Sequence, residues 1–422
     1  MRVRRPSDTA RVVAARFISR AGGEAAFFVG IWGTAAYTFH ATPAQLAVLM
    51  GVLVTSTILG TLAAGVLVDR WDPRRVLIAA EAVFVPVALT MMLADTLAQL
   101  TWLVALLGFF GAPVMTATAS LAPFLAEDRE GLQRINAWIE GAASLSLITG
   151  PALGALIARF ASLEWIFAFD AATSLIAVAL VAGVHVRRPE PEPEGDGSRR
   201  RGAFGELAEG LRFTYASRPL RYYVLMGSCM WLGFGAFGAL EPLFFRDVLK
   251  TGVETIGWVN TVFGFGLVAG AWLLMRLPER VLRARVLAVV CALMGLGATL
   301  YVGTDDVRIV AVGAFVWALV VGGAEPLLRT LIQADSPDEY VGRVAGTSRV
   351  HQHAGELVPL AFAPALAAAF GVQAVLIGGG LVLSAIALLS LGEAAAVDRL
   401  IRHRRTVPIT RSAADEPISP NP

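Results

Sequence analysis

Long apolar segments, interrupted by short polar turns, recur along the whole 422-residue chain. A helix that crosses the ~30 Å hydrocarbon core of a bilayer needs about 20 predominantly apolar residues. Only 16% of the residues are charged, whereas a typical soluble domain carries about 25%. The sequence therefore predicts an all-α membrane protein and excludes a soluble enzyme or a nucleic-acid-binding domain. We place twelve transmembrane helices near residues 14–38, 43–68, 75–94, 97–124, 134–158, 162–184, 219–243, 253–275, 284–303, 307–330, 344–369 and 372–392.

The chain offers little to hold a cofactor or a metal. Cys229 and Cys291 both lie within apolar segments, so no disulfide framework or metal cluster is implied. The sequence lacks the phosphate-binding pattern G-x-x-x-x-G-K-[ST] and a metal-ligand spacing such as H-E-x-x-H. The N-terminus has no short apolar core followed by a cleavage site, so we expect it to be retained. We expect no cofactor, no metal and no enzymatic activity.

Basic residues are distributed unevenly between the two sets of turns. If the N-terminus is cytoplasmic, 31 of the 35 basic residues lie on the cytoplasmic side or in the inner parts of helices. This distribution is the positive-inside bias of membrane proteins. We therefore predict that both termini are cytoplasmic. The basic residues in or beside the outward turns are Arg159, Arg246, Lys250 and Arg308.

One long connection, from His185 to Ser217, divides the chain into two sets of six helices. Its first part, "RRPEPEPEGDGSRRRG", is rich in Pro, Glu and Arg and predicts a flexible linker. "FGELAEGLRFTYA" (204–216) follows, and its apolar residues recur at helical spacing. This pattern indicates an amphipathic helix on the inner membrane surface.

The two sets of helices carry related sequences at an offset of 205–210 residues. "HATPAQLAVLMG" (40–51) corresponds to "LKTGVETIGWVN" (249–260), and "QRINAW" (133–138) to "GRVAGT" (342–347). Duplicated six-helix halves predict a pseudo-two-fold arrangement with a substrate site between them. The predicted units are an N-terminal six-helix bundle (1–184), a cytoplasmic linker with an amphipathic helix (185–218), a C-terminal six-helix bundle (219–392) and a cytoplasmic tail (393–422).

Several short motifs resemble those of the major facilitator superfamily. "GVLVDRWDPRR" (65–75) is similar to the family's loop 2–3 motif G-x-L-a-D-R-x-G-R-R, although Asp72 and Pro73 depart from it. "PDEYVGRV" (337–344) resembles the loop 10–11 signature, and "LAEGLRF" (207–213) the segment before helix 7. The combination is most like the bacterial branch that holds macrolide-type drug exporters and the enterobactin exporter. The matching residues of loop 2–3 are Gly65, Leu67, Asp69, Arg70 and Arg74.

The resemblance implies an exporter in a bacterial plasma (inner) membrane. "GPALGA" (150–155) in helix 5 resembles the family's antiporter motif, at Gly150, Pro151 and Gly154. The arginine that drug–proton antiporters often carry in helix 4 is missing, because residues 102–124 contain no basic side chain.

The charged turn 65–75 is predicted to form a cytoplasmic gate. The Asp69 carboxylate can accept hydrogen bonds from free N–H groups at the start of helix 11, near Gly342, where the helix dipole favours negative charge. The arginines of the turn can pair with carboxylates in other inner loops, such as Glu127, Asp335 or Asp338. The alternative is that these are ordinary topology-setting charges. The predicted gate comprises Gly65, Asp69, Arg70, Arg74, Arg75 and Arg343.

Charged side chains inside the apolar segments mark candidate transport sites, because each costs roughly 2.5–3.5 kcal/mol on insertion scales. Glu24 lies about ten residues into helix 1, or roughly 15 Å deep at 1.5 Å per residue. Arg349, His353 and Glu356 share one face of helix 11, and histidine titrates between pH 5 and 8. Glu140 corresponds to Arg349 in the internal repeat. The alternative for each group is a structural role, as a tolerated carboxyl or as a neutral cluster that packs the halves together.

The remaining charges in the apolar segments favour simpler roles. Glu241 precedes a proline near the outer end of helix 7 and is a candidate hinge or gate residue. Glu325 and Arg329 are one turn apart and are expected to satisfy each other. Glu81 and Asp170 lie on the peripheral helices 3 and 6, where we expect structural roles.

Aromatic residues on helices 1, 4 and 7 can supply an apolar cavity wall. Such a cavity suits a bulky amphipathic molecule better than a sugar or a phosphate. We predict a monomeric transporter in the lipid bilayer that exports an amphipathic small molecule by alternating access in exchange for protons. The alternatives are a dedicated siderophore or metabolite exporter and a non-transporting lipid-handling or sensory protein of the same fold. The candidate aromatic residues are Phe27, Phe28, Trp32, Phe109, Phe110, Trp231, Phe234 and Phe237.

Overall fold

The computed structural model describes residues 6–185, 203–278 and 281–406, and within these ranges the chain is helical without a strand. The first helix, α1 (Pro6–Ala25), continues through two π-helical turns, Ala26–Ile31 and Thr34–Thr38. The others are α2 (Pro43–Arg70), α3 (Pro73–Met91), α4 (Leu97–Leu125), α5 (Arg129–Phe160), α6 (Glu164–Ala182), α7 (Ala203–Ala216), α8 (Arg218–Leu243), α9 (Val253–Met275), α10 (Ala284–Val302), α11 (Val307–Asp335), α12 (Val341–Phe370), α13 (Val372–Leu389) and α14 (Leu391–Thr406).

The twelve predicted transmembrane segments correspond to α1–α6 and α8–α13. In the described part of the chain, ten helices are long and apolar enough to cross a membrane. The two predicted spans that are not among the ten are α1 and α3, which carry five and three charged side chains within 20 and 19 residues. These charges are the reason that α1 and α3 matter for the site described below.

Two helices lie outside this pattern. α7 is the predicted amphipathic helix, whereas the predicted linker before it, residues 186–202, lies outside the described residues. α14 falls where the sequence predicts only a tail. It is docked by Asp398, whose carboxylate accepts hydrogen bonds from the backbone N–H groups of Ala284 (2.9 Å) and Arg285 (3.4 Å) at the start of α10. The limits of the four predicted units stay a prediction.

The turn between α2 and α3 explains why the sequence departs from the family motif there. Asp72 is the N-cap of α3, and its carboxylate accepts a hydrogen bond from the Arg74 backbone N–H at 2.8 Å. Pro73 occupies the first helical position, where its missing N–H costs nothing and its fixed φ favours the helix. The two unusual residues therefore start α3 locally.

Helix packing repeats between the two halves. The pairs α1–α5, α2–α4 and α3–α6 pack together in the first half, and α8–α12, α9–α11 and α10–α13 pack in the same way in the second. The contacts between the halves are symmetric in the same way. α5 packs on α9, and their counterparts α12 and α2 also pack together. This repetition confirms the predicted fold of two six-helix halves related by pseudo-two-fold symmetry.

In the described part of the chain, the two halves share a hydrophobic core at one end of the bundle. We call the end where α1 begins and α7 and α14 lie the proximal end, and the opposite end the distal end. A single distal core combines residues of both halves, such as Trp32 and Phe167 with Phe237 and Trp317. At the proximal end the described residues form two separate cores, one in each half. The halves are therefore apart at the proximal end and sealed at the distal end.

The distal turns of the two halves share an unusual backbone. The π-helical turns Thr34–Thr38 and Phe244–Val248 are separated by 210 residues. Each is followed by a residue in the left-handed region, His40 (φ 48°) or Lys250 (φ 53°), and no other non-glycine residue in the described ranges has a positive φ. Non-glycine residues adopt this conformation infrequently. We call these two segments the distal elbows.

Candidate functional site

An ionic network lines α1 at the inner face of the first half. Arg20 pairs with Glu24 through an Nη2–Oε1 distance of 2.8 Å, and the Glu24 side chain is only 12% exposed. Arg16, one turn earlier, interacts electrostatically with Glu24 and with Glu140 on α5. The sequence prediction named Glu24 and Glu140 but missed both arginines. The available signal was the spacing of Arg16, Arg20 and Glu24, which follow one another at intervals of four residues on one helical face.

The antiporter-like motif packs α5 against this network. A Cβ atom at Gly150 would lie 2.6 Å from the Glu24 Cβ, and one at Gly154 would lie 2.9 Å from Val29. The two glycines therefore allow α5 to approach α1 at the level of Glu24. The carbonyl of Pro151 faces the other half, because a Cβ at Gly257 of α9 would lie 2.6 Å from it. The motif thus packs against α1 at Glu24 on one side and lies at the interface between the halves on the other.

The predicted charged face of α12 is present in the second half. His353 Nδ1 lies 3.5 Å from Glu356 Oε2, and Arg349 is exposed one turn earlier. Leu360 continues this face, and a Cβ atom at Gly51 of α2 would lie 3.9 Å from its Cδ1, so the face is directed toward the first half. Among the described residues Arg349 has no ion-pair partner, and it does not form one with Glu140.

Glu325 has a different partner from the one expected. The Gln352 amide of α12 donates to Glu325 Oε2 at 3.1 Å. The described residues show no ion pair between Glu325 and Arg329, so the expected pairing within α11 is wrong. Gln352 is buried on α12 next to the charged face. Sequence spacing within one helix could not reveal this contact between two helices.

Glu241 lies in the sealed distal core. Its side chain is 7% exposed, and it accepts a hydrogen bond from the Tyr301 hydroxyl at 2.6 Å. The nearby Asn260 amide donates to the Ile256 carbonyl at 3.0 Å. Phe237 and Trp317 pack beside Tyr301, with ring centroids 4.6 Å apart. In this conformation Glu241 therefore has no access to the open proximal side.

The predicted gate residues have local partners in this conformation. The Arg74 guanidinium donates to the carbonyls of Val181 (3.1 Å) and Ala182 at the end of α6. Arg343 pairs with Glu209 of α7 at 3.1 Å. The side chain of Asp69 lies outside the described residues. The contacts predicted across the proximal end belong to a state with that end shut, so they stay a prediction.

The predicted cavity aromatics divide into packed and half-buried groups. Trp32 and Phe237 are buried in the distal core. Phe27 and Phe28 are half-buried, with ring centroids 5.0 Å apart, and lie on the same turns as Glu24. A separate apolar groove of about 520 Å³ lies among α8, α12 and α13. Its lining carries no charged side chain, so it is distinct from the ionic network.

The molecule has two symmetric helical halves that are sealed at one end and apart at the other, and their facing helices carry charges. This architecture defines the class of alternating-access membrane transporters. A sequence profile of the Major Facilitator Superfamily matches residues 12–358 and 223–414. The chain belongs to this superfamily. It is therefore a multi-pass membrane transporter and not an enzyme.

Individual relatives agree with the predicted branch. The multidrug efflux pump Tap of Mycobacterium tuberculosis is 28% identical over 350 residues, covering 78% of this chain and 80% of the relative. The enterobactin exporter EntS of Escherichia coli is 25% identical over 349 residues, with the same two shares. Among solved structures, a bacterial homologue of the human lysosomal transporter Spinster, in an inward-facing and unoccupied conformation, has a TM-score of 0.70 at 13% identity and covers 96% of this chain and 99% of its own.

Proposed function

We propose that this protein is a secondary active exporter of amphipathic small molecules that exchanges them for protons by alternating access. The proposal rests on one observation: the two halves have separate hydrophobic cores at the proximal end and share one core at the distal end. A substrate enters such a cleft from the proximal side and leaves when the distal seal opens. The similarity to a multidrug efflux pump favours export over uptake.

The proposed orientation has the proximal end and both termini in the cytoplasm of a bacterium, with the protein in its plasma membrane. The strong excess of basic residues at the proximal turns supports this orientation. A single copy contains both halves, so we propose a monomer as the working unit. The Asp69 turn would then close against the start of α12 when the proximal end shuts.

The proposed substrate chemistry follows from the facing helices. Half-buried rings at Phe27 and Phe28 offer apolar area beside the Arg20–Glu24 pair. Arg349 and His353 add polar groups from the other half. Few charges among many apolar side chains suit a molecule with a bulky apolar body and one polar end.

The proposed coupling uses carboxyls on these same faces. Proton and substrate compete for a carboxyl when the substrate interacts with its ionised form, and this competition is the linkage that antiport needs. Glu24 is the first candidate, because it is nearly buried and forms an ion pair with Arg20. Glu356, with His353, is the second.

Purified protein in vesicles with an imposed pH gradient tests the proposal. Ethidium, a fluorescent amphipathic cation, should be exported by the wild type, and Glu24→Gln and Glu356→Gln should reduce pH-driven export by about tenfold or more. Glu130→Gln, which changes an exposed carboxyl at the start of α5, is the matched control. Full pH-driven export by both variants would make these carboxyls structural.

A dedicated siderophore exporter is the second candidate function, because the enterobactin exporter is a relative over 78% of this chain. The same vesicles separate the two. A dedicated exporter would leave ethidium inside while it exported a catecholate siderophore. A multidrug exporter would export ethidium.

A further inference from the structure

Two buried carboxyls in the first half remain outside the network that the proposed function uses. Glu81 on α3 is 3% exposed and Asp170 on α6 is 4% exposed. The sequence favoured structural roles for both. Neither faces the open proximal cleft directly.

Both carboxyls are directed at the same stretch of α1. The Ser19 hydroxyl donates to Glu81 Oε2 at 2.8 Å. One turn further along α1, a Cβ atom at Gly22 would lie 3.0 Å from Asp170 Oδ1. The two carboxyls therefore meet α1 on one helical face, in the space enclosed by α1, α3 and α6.

The negative charges that Glu81 and Asp170 would carry in this space are only partly compensated by nearby cations and hydrogen-bond donors of the described residues. Asp170 interacts electrostatically with Glu81, which is another acid, and the described residues give its carboxylate no hydrogen-bond donor. Ser174, one turn along α6, is fully buried, and its hydroxyl also has no partner in the described ranges. Arg16 is the cation that interacts with Glu81, and α4 carries no charged residue. A buried carboxylate without a cation or a donor is too costly to persist, and the group is protonated instead.

We propose that Glu81 and Asp170 form a proton-binding site of the transport cycle, within the first half and apart from the substrate cleft. The inference rests on the proposed exchange of substrate for protons. In the conformation described here the pair holds at least one proton. On release, the carboxyl O–H bond breaks and the proton passes to water, and Arg16 compensates the carboxylate that remains on Glu81.

The arrangement links this site to the cleft through α1. Arg16 interacts with Glu81 and also with Glu140 and Glu24. A movement of α1 between the two states therefore changes the charges around both carboxyl groups together. This coupling gives the binding of substrate near Glu24 a physical route to change the affinity for a proton at Glu81.

Infrared difference spectroscopy on the purified full-length protein tests proton binding without transport. At neutral pH the wild type should show a carbonyl band of a protonated carboxyl shielded from water, and Asp170→Asn should lose or shift it. Glu164→Gln, which changes an exposed carboxyl on the same helix α6, should keep it. A wild type without such a band, or an unchanged band in Asp170→Asn and Glu81→Gln, would overturn the proposal.

Transport by the same variants supplies the second readout. Glu81→Gln should retain ethidium exchange without a gradient but lose at least tenfold of its export driven by a pH gradient. Retained pH-driven export in Glu81→Gln and Asp170→Asn would also overturn the proposal. If the wild type itself ignores the pH gradient, the proposed antiport fails, whereas the infrared band still decides whether this site binds a proton.

Discussion

At the residue scale, the two charged side chains of the Arg20–Glu24 pair on α1 depend on each other for charge compensation. The two side chains lie 2.8 Å apart, and their exposed fractions are 30% and 12%. The Nε atom of Arg20 is buried and has no hydrogen-bond partner in the described ranges. Removal of either partner from such a pair leaves an uncompensated charge, which costs more than removal of both.

The double variant Arg20→Gln/Glu24→Gln should therefore be more stable than the two single variants predict by addition. We expect a coupling free energy of about 1–3 kcal/mol, the range for side chains in direct contact. Thermal unfolding of the four proteins in one detergent measures it. Strictly additive losses would mean that Arg16 and the neighbouring carboxylates already compensate each charge separately.

At the element scale, the distal elbows join the two halves asymmetrically. Arg246 lies within the elbow of the second half. Its Nη1 donates to the carbonyl of Ala36 (2.7 Å) in the elbow of the first half and to that of Ala41 (3.2 Å) just after this elbow. When the two elbows are aligned on their π-helical turns, Ala36 is the counterpart of Arg246. The Arg246 guanidinium therefore donates to a carbonyl at the equivalent position of the opposite half and to a second carbonyl nearby.

Arg246→Ala should shift the protein toward a state with the distal end open. A hydrogen bond from a charged donor contributes about 1.5–3 kcal/mol, so its loss moves a balanced equilibrium by about tenfold or more. Distances between spin labels across the distal turns measure the populations. Lys250→Asn is the matched control, because it removes a charge from the same elbow while asparagine tolerates the left-handed backbone. Equal shifts in both variants would attribute the effect to charge alone and not to the Arg246 bonds.

At the scale of the whole molecule, the sequence predicts the helices well and their contacts poorly. The helices at the twelve predicted spans follow from apolar segments, ten of them long and apolar enough to cross a membrane, and α7 follows from its amphipathic spacing, because both are local properties of the chain. The bond of Gln352 to Glu325 and the docking of α14 by Asp398 join helices that are distant in sequence. No local pattern encodes such contacts. Arg16 and Arg20 are an intermediate case, since their spacing to Glu24 is visible in the sequence but the partners of Arg16 on α3 and α5 are not.

The interface between the halves depends on close packing at Gly257. A Cβ atom there would lie 2.6 Å from the Pro151 carbonyl oxygen and 2.7 Å from the Ala155 Cβ, both on α5. Gly257→Ala should therefore force α5 and α9 apart where the distal end is sealed. A distal-open state relieves the clash, because the same surfaces separate in it. Overpacking a tight interface costs about 1–3 kcal/mol.

The population of the distal-open state should accordingly be about five- to a hundredfold higher in Gly257→Ala than in the wild type. The export cycle should be slower at the step that reseals the distal end. Spin-label distances should lengthen across the distal turns and shorten between the proximal turns of the two halves. Gly141→Ala on α5 is the control, since its Cβ would meet no atom within 4 Å and alanine favours a helix. A variant that loses stability without any change in these distances would show that Gly257 serves packing within one state only.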